Sequence, residues 1–327
     1  MEKVYYYPPA SKGGYSNPYS INFKKALSEF YEVLDSENKP SSMLSFSFLL
    51  NSVKANLYII NWLESVCFLR FSLIQYFFAR LGLLIIKLRK KKIVWIFHNI
   101  HPHQGSNKYS KKIQKILFDQ SSLIISHSID AANYAKEHTK TKVLYACHPI
   151  QPIKLAEKFI PQYKNIDIFI WGSIQPYKGI VEFITLPFVR NSDLNVLIIG
   201  KCENQKLSKQ ITENLQENII FENRQADFSE IKAYCETSSY VVFPYIGTSV
   251  SSSGALIDTI AFKGTPVGPS KGAFKDLEQD GMCIVYHNDE ELKNILLSKK
   301  LIDRHRIHEF ILQNSWNAFV KKFFINL

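Results

Sequence analysis

The chain has 327 residues, of which 46% are hydrophobic and 13% aromatic, and its formal net charge is +11. This length exceeds one comfortable hydrophobic core, so two packed, soluble domains are expected. The five scattered cysteines form no Cys-x-x-Cys pair, which argues against a disulfide framework and a zinc site and is consistent with a reducing cytoplasm.

Short apolar strands alternate with helix-length segments along the chain. The predicted strands are residues 3–7, 56–62, 92–99, 122–128 and 142–148 in the first half, and 167–173, 195–201, 218–223, 240–245 and 283–287 in the second. Nearly continuous apolar strands of this kind are typical of parallel sheets covered by helices on both faces. The sequence therefore predicts an α/β protein with two doubly wound, Rossmann-like domains.

The expected domains are residues 1–155, residues 156–308 and a C-terminal helical segment, 309–327. The junction is placed in the proline-containing stretch 148–165, which interrupts the alternation of strands and helices. The last segment carries regularly spaced aromatic residues, so it is expected to pack back on the first domain.

The positive charge is concentrated in the first half of the chain. Residues 1–160 hold 22 Lys and Arg against 10 Asp and Glu, whereas residues 161–327 hold 18 against 19. This asymmetry indicates that the first half faces something anionic, either a membrane surface or nucleic acid. The alternative is a solvated basic face that binds no partner.

The segment 66–92 is apolar on nearly every side of a helix, which is typical of a buried or a membrane-contacting helix. Arg80 near its middle would cost about 2.5–3.5 kcal/mol in a bilayer, which argues against a spanning helix. A helix lying at the membrane interface is one alternative, because five basic residues end the segment: Lys87, Arg89, Lys90, Lys91 and Lys92. A helix buried between layers of the domain is the other.

A cluster of small polar residues, SSSG at 251–254, lies between the predicted strand 240–245 and the helical pattern GALIDTIAF. The turn after a parallel strand is where open α/β sheets bind ligands. Serine hydroxyls and the free N–H groups of a helix start would hold a phosphate there. Ordinary capping by one serine is the alternative.

A second motif, FIWGSIQPYKGI at 169–180, opens the second domain. Gly172 ends the strand, Pro176 shapes a turn, and Lys178 with Gly179 starts the next helix. This succession of residues places the ammonium group of Lys178 beside the edge of the sheet, where it could bind a diphosphate as a point charge.

In series with VLIIGK, YVVFPY and SSSGALIDTIAFKGTPV, this motif resembles the donor domain of GT-B-fold glycosyltransferases that build bacterial cell-surface polysaccharides from nucleotide sugars. Phe169 to Gly281 carry this match, and 264–267 correspond to the loop after the donor-binding helix. In the first half, residues 10–27 resemble the family's glycine loop and helix, 57–65 its strand end with Trp and Glu, and 92–105 a His-Asn and Pro-His loop of exopolysaccharide enzymes.

The resemblance implies two Rossmann-like domains facing a cleft, with the acceptor in the first and the nucleotide sugar in the second. It further implies a hexosyltransferase that takes a UDP- or GDP-linked sugar without a cofactor and acts on a saccharide, lipid-linked acceptor in the cytoplasm. The absence of an Asp-x-Asp pair disfavours a metal-dependent donor site, so no metal is expected. The anionic inner leaflet of the membrane is the further expected partner, and nucleic acid is not.

The candidate residues follow from these matches. Those for the donor are Gly14, Ser173, Lys178, Arg224, Ser251, Ser252, Ser253, Gly254 and Asp258. Those for the acceptor are Asn17, Trp62 and Asn99, and those for a base that takes the acceptor's proton are Glu64, His98, His103 and His127. Each histidine could instead satisfy loop hydrogen bonds, and Glu64 could complement a helix N-terminus.

Two departures from the family pattern concern the donor site. Ser173 stands where an arginine usually precedes the lysine, and Ser251 and Thr259 stand at the positions of two glutamates of the retaining enzymes. Asp258 is a neighbouring carboxylate for a ribose hydroxyl. The sequence therefore leaves the anomeric outcome open, and it leaves a catalytically inactive sugar-nucleotide-binding or scaffolding protein as an alternative. A nucleic-acid-binding protein is a weaker one, because KLRKKK at 87–92 has no interleaved aromatic residues.

Overall fold

The computed structural model of the chain describes residues 1–9, 17–34, 44–98, 100, 107–151, 159–246 and 253–325. The chain divides into two compact units, one formed by Met1–Cys147 with Trp316–Leu327 and the other by His148–Ser315. These units meet at 147/148 and 315/316, where 155/156 and 308/309 were expected. The second boundary lies later because the helix that covers residues 304–313 belongs to the second unit.

The described part of the first unit contains a six-stranded parallel sheet with the spatial order β2-β1-β3-β4-β5-β6. The strands are β1 (Lys3–Tyr7), β2 (Glu32–Leu34), β3 (Leu57–Asn61), β4 (Lys92–Phe97), β5 (Leu123–Ser126) and β6 (Val143–Tyr145). The central strands β3 and β4 are buried along nearly their whole length, which explains their continuous apolar sequences. The order reverses between β1 and β3, so the ligand-binding switch point of this sheet lies at their carboxyl ends.

Helices cover both faces of this sheet. They are α1 (Pro18–Leu27), α2 (Leu44–Asn51), α3 (Ser72–Leu88), α4 (Lys108–Gln120) and α5 (Ile129–His138). Side chains of α2 to α5 pack with Tyr5 and Trp95 on one face, and α1 packs through Phe23 with Tyr6 on the other. A short 3-10 helix, Leu63–Phe68, links β3 to α3.

The described part of the second unit repeats this design with the strand order β12-β11-β10-β7-β8-β9, again all parallel. Its strands are β7 (Ile168–Trp171), β8 (Val196–Ile199), β9 (Ile219–Glu222), β10 (Tyr240–Val242), β11 (Pro266–Pro269) and β12 (Ile284–Tyr286). Its helices are α6 (Ile180–Ile184), α7 (Pro187–Arg190), α8 (Gln205–Glu213), α9 (Phe228–Thr237), α10 (Gly254–Ala261), α11 (Gly272–Gln279), α12 (Asp289–Ser298) and α13 (Arg304–Gln313). Here the switch point lies between β7 and β10.

The chain returns to the first unit in α14 (Trp316–Phe323). Trp316 and Phe319 are buried in the core on the α1 face, where both rings contact Phe23. The single helical pattern at the end of the sequence is thus two helices: Phe310 lies in the second unit, and the later aromatic residues lie in the first.

The predicted fold class, two doubly wound Rossmann-like domains, is confirmed by the two parallel sheets. Two strands were missed. β2 has only three residues, and β11 has the sequence PVGP, which reads as a turn. A proline is tolerated as the first residue of a strand, and Pro266 holds that place, so the expectation of a loop over 264–267 was wrong beyond Thr265.

The helix predicted inside segment 66–92 is α3. Among the residues that the structure describes, no helix combines the length and the apolar character needed to cross a bilayer.

Candidate functional site

The ammonium group of Lys178 lies at the switch point of the second unit. The strand β7 ends at Trp171, Gly172 follows with φ +94°, and the 3-10 helix Pro176–Lys178 turns the side chain back. A methyl group built on Gly172 would lie 3.3 Å from Lys178 Nζ and 3.9 Å from the Cβ of Ala255 in α10. The lysine after β7 and the first turn of the helix after β10 therefore border the same small space.

Lys178 is only 6% exposed. Within the described ranges no carboxylate or hydrogen-bond acceptor meets its ammonium group, which lies 5.7 Å from the centre of the Tyr245 ring. Burial lowers the pKa of Lys178 to about 8. A buried cation without a counter-charge is costly, so the site favours an anion.

The N-terminus of α10 faces the same edge of the sheet. Ser253 caps the helix, and its Oγ accepts a hydrogen bond from the amide of Leu256 at 3.3 Å. A Cβ built on Gly254 meets no atom of the described residues within 4 Å, so these residues leave the backbone open at the start of the helix. The first-turn N–H groups and the helix dipole attract negative charge here. Together with Lys178 they form a site suited to a phosphate or diphosphate.

Glycine brings the two loops of this site together. Gly179 has φ +62°, and a Cβ there would lie 2.1 Å from the carbonyl oxygen of Pro244. The loop after β7 thus contacts the loop after β10 at a distance that only glycine permits. Tyr245 follows directly, and its hydroxyl lies 3.5 Å from Ser253 Oγ. Sequence analysis missed Tyr245, although its place after β10 was a signal for it.

The two residues in the middle of α10 differ in their surroundings. Asp258 is half-buried, and burial raises its pKa to about 7. Thr259 is fully buried, and its Oγ1 accepts a hydrogen bond from Trp171 Nε1 at 3.0 Å. The side chain of Thr259 is therefore bound to the end of β7.

Arg224 and Ser173 lie at the ends of β9 and β7. The guanidinium of Arg224 donates to Glu230 Oε2 at 2.8 Å and to Glu222 Oε2 at 2.7 Å, and these carboxylates raise its pKa. Its charge is thus shared between two glutamates in this structure. Ser173 is exposed directly after Gly172.

In the first unit, polar side chains meet at the carboxyl ends of β1, β3 and β4. Asn61 ends β3, and its Nδ2 donates to the carbonyl of Tyr7 at the end of β1, at 3.2 Å. Its Oδ1 accepts from Nε2 of His98, at 3.0 Å, just after β4. Trp62 has φ +51°, and its ring stacks on His98 at 4.3 Å between centroids. Asn61 was missed, although a polar residue ending a continuous apolar strand was its signal.

Glu64 lies in the 3-10 helix after β3 and is 8% exposed. Its Oε2 is buried without a hydrogen-bond partner among the described residues. Burial raises the pKa of Glu64 to about 7. A carboxylate with such a pKa exchanges a proton near neutrality, which suits a general base.

His127 follows β5 and is held on both sides. Its Nδ1 lies 2.8 Å from the carbonyl oxygen of Ala146, which can only accept, so Nδ1 carries the proton. Its Nε2 then accepts from the hydroxyl of Tyr19, at 2.7 Å. Burial raises the pKa of Tyr19 well above its usual value, which keeps this donor protonated. The geometry favours a positioning role for His127, since both ring nitrogens are engaged.

Solved structures share this architecture over the whole chain. HepE of Anabaena in complex with UDP and glucose has a TM-score of 0.68 and 13% identity, covering 100% of both chains. Sucrose-phosphate synthase from Thermosynechococcus elongatus has a TM-score of 0.68 and 12% identity, and the match covers 98% of this chain and 97% of the synthase chain. An α,α-trehalose-phosphate synthase (UDP-forming) from Burkholderia vietnamiensis has a TM-score of 0.61 and 9% identity, and the match covers 99% of this chain and 98% of the synthase chain.

The chain has the GT-B fold. At these identities the likeness establishes the fold and leaves the activity to be argued from the site. No family model and no curated protein sequence matches the chain.

Asn17, the metal prediction and the candidates outside the described residues complete the comparison for this GT-B chain. Asn17 is the N-cap of α1, and its Oδ1 accepts from the amide of Tyr19 at 3.0 Å. The described ranges contain no group of three or more His, Cys, Asp and Glu residues that could hold a metal ion. Five candidates lie outside the described residues: Gly14, Asn99, His103, Ser251 and Ser252.

Proposed function

We propose that this chain is a glycosyltransferase that moves a sugar from a nucleoside diphosphate to a saccharide acceptor. The observation that carries the proposal is the buried ammonium of Lys178, which has no acceptor in the described ranges and borders the first turn of α10 at the switch point of a GT-B sheet. Support comes from the solved GT-B structure of HepE with UDP-glucose. UDP is therefore the first nucleotide to test, with GDP the second.

The second unit is proposed to bind the donor. Lys178 and the amides at Ser253 and Gly254 neutralise the diphosphate, and Asp258 accepts a hydrogen bond from a ribose hydroxyl. The proposal needs no metal ion, because a lysine and a helix N-terminus supply the positive charge. The further donor candidates remain proposals from the sequence alone: Gly14, Ser173, Arg224, Ser251 and Ser252.

The first unit is proposed to bind the acceptor, beside Trp62, Asn17 and Asn99. Glu64 is the proposed base: its carboxylate takes the proton of the acceptor hydroxyl while the hydroxyl oxygen bonds to the anomeric carbon. The bond from that carbon to the phosphate oxygen breaks, and the nucleoside diphosphate leaves with the electron pair. Lys178 stabilises the charge that grows on the leaving phosphate. His98 and His103 are the alternatives for the base.

We propose a lipid-linked saccharide as the acceptor and synthesis of cell-surface polysaccharide as the role. The support is the excess of Lys and Arg in the first 160 residues, which would attract an anionic cytoplasmic membrane face.

One observation favours a second candidate function, the binding of sugar nucleotides without transfer. Thr259 is buried and bound to Trp171, so α10 presents no carboxylate at the position where the retaining enzymes have one. The two candidates agree on donor binding and differ in turnover.

Calorimetry with UDP, GDP and their sugars, followed by assays of UDP release, tests the proposal. Lys178→Ala should weaken UDP binding about 10- to 100-fold, the usual value of a charge-assisted contact. The control is Lys206→Ala, an exposed lysine of α8. Tight binding without UDP release from any donor would leave the second candidate, and no nucleotide binding would refute both.

A further inference from the structure

The outward face of α3 is apolar, which is unusual for a helix on a protein surface. Its inner face is buried through Gln75, Ala79, Gly82, Leu83 and Ile86. The opposite side of the helix holds a stripe in which Leu73, Phe77, Leu84 and Leu88 are four to seven positions apart, with Ile74 at its edge. They are exposed by 44–73%: Leu73, Ile74, Phe77, Leu84 and Leu88. An ordinary surface helix presents polar residues there.

The neighbouring helix α2 extends this apolar face and fixes it in place. A Cβ on Gly82 would lie 2.7 Å from the ring of Phe48, so the two helices touch closely at the glycine. Leu50 and Val53, at and after the end of α2, are 42% and 54% exposed. The apolar face is therefore a rigid surface of the fold.

A band of positive charge borders the apolar face on one side. Arg80 and Lys87 are exposed on α3, next to the side where Tyr76 stacks on Tyr109 of α4 at 5.3 Å. The band continues on α4 with four exposed lysines: Lys108, Lys111, Lys112 and Lys115. None of these six cations has an ion-pair partner among the residues that the structure describes.

We infer that the α2–α3 face, with the basic band of α3 and α4, binds the surface of an anionic lipid bilayer. The apolar stripe of α3 enters the boundary of the acyl chains with the helix lying in the membrane plane, while the cations reach the lipid phosphates. Charge complementarity calls for an anionic partner, and the parallel run of apolar and cationic residues along α3 matches a bilayer surface, where acyl chains lie beneath the phosphates. The inference concerns a surface outside the proposed donor site and does not depend on sugar transfer.

Co-sedimentation of the full chain with vesicles tests this inference. Binding to phosphatidylcholine vesicles containing phosphatidylglycerol should exceed binding to phosphatidylcholine alone. Leu73→Ser with Phe77→Ser should abolish binding, whereas the control Leu297→Ser with Leu301→Ser, exposed apolar residues of the second unit, should not. Arg80→Gln with Lys87→Gln should weaken binding about fivefold per charge removed, and the control Lys206→Gln with Lys300→Gln should not.

Equal binding to both kinds of vesicle, or unchanged binding by the α3 variants, would overturn the inference. So would a stable dimer that becomes a monomer in Leu73→Ser with Phe77→Ser, because the face would then be covered by a second copy. Calorimetry with UDP on the same variants keeps the two proposals apart: loss of vesicle binding with unchanged UDP affinity supports this surface whatever the fate of the transferase proposal.

Discussion

The ring of Tyr245 lies between Lys178 and Ser253: the ammonium is 5.7 Å from the ring centre, and the tyrosine hydroxyl is 3.5 Å from the serine Oγ. A desolvated cation over an aromatic ring gains about 2 kcal/mol. An unpaired buried ion costs several kcal/mol. The ring therefore offsets only part of the cost of burying Lys178, and a bound anion would offset the rest.

Replacing Lys178 by methionine should raise the stability of the unliganded protein while weakening UDP binding. The pKa of Lys178 falls from 10.5 to about 8 on folding, so the unfolded state binds its proton more tightly. The charged lysine thus costs up to about 3 kcal/mol at pH 7. Denaturant unfolding of Lys178→Met should show a gain that shrinks as the pH rises from 8 to 10.5. A less stable variant would indicate a structural lysine instead.

The affinity for UDP should fall as the pH rises from 7 to 9. Lys178 is charged below its pKa of about 8 and loses its proton above it, so the attraction of the diphosphate weakens. Calorimetry across this range measures the effect. Lys178→Arg is the control, because arginine stays charged and should bind UDP with little change above pH 8. An equal decline in both proteins would contradict the assignment.

The rate of UDP release from the donor should rise with pH around the pKa of Glu64, which burial places at about 7. The carboxylate must be ionised to accept a proton, so activity is low below this pH. Glu64→Gln should lower the rate 100-fold or more, on the order of a lost general base, and keep the affinity for UDP. The matched control is Glu137→Gln, an exposed residue of α5. A rate unaffected by Glu64→Gln would move the role to His98 or His103.

Gly179→Ala should destabilise the second unit strongly, whereas Gly254→Ala should not. The first substitution adds a Cβ 2.1 Å from the Pro244 carbonyl oxygen at positive φ, and the second adds one that meets no described atom within 4 Å. We expect a loss above about 2 kcal/mol for Gly179 and a change within about 0.5 kcal/mol for Gly254. Thermal unfolding of both variants compares them directly. Similar Tm values would mean that the two loops do not touch.

Tyr19→Phe should cost about 1–2 kcal/mol of unfolding free energy, because His127 Nε2 loses the donor that satisfies it. Tyr177→Phe, at a half-exposed tyrosine, is the control and should change little. If His127 is a positioning residue, the pH profile of UDP release keeps its shape in Tyr19→Phe. A shifted profile would return His127 to the candidates for the base.

The sequence predicted the regular parts of the fold well, because buried parallel strands such as β4 must be apolar throughout. The position of Lys178 beside the end of β7 was predictable for a similar reason, because the strand, the glycine and the proline before it determine that position locally. β11 was missed because its prolines resemble a turn, and only its two neighbouring strands make it a strand.

Other properties of the candidate site depend on the three-dimensional packing of the chain. Glu222 and Glu230 lie two and six residues from Arg224, but a local pattern of residues does not reveal that both carboxylates bind its guanidinium. The sequence indicated only that Thr259 replaces a glutamate of the retaining enzymes. The structure adds that its hydroxyl accepts a hydrogen bond from Trp171, 88 residues earlier in the chain. The raised pKa of Glu64 comes from burial, which a local pattern of residues does not reveal.

The crossing back into the first unit at Trp316 sets an order of events during synthesis on the ribosome. The core around Phe23 needs Trp316 and Phe319, which are translated after every strand of the second unit. The apolar surface around Phe23 therefore stays exposed while the second unit is synthesised and folds. Domains usually finish folding in the order in which they leave the ribosome. A chaperone that shields the α1 surface during elongation should raise the yield of native protein.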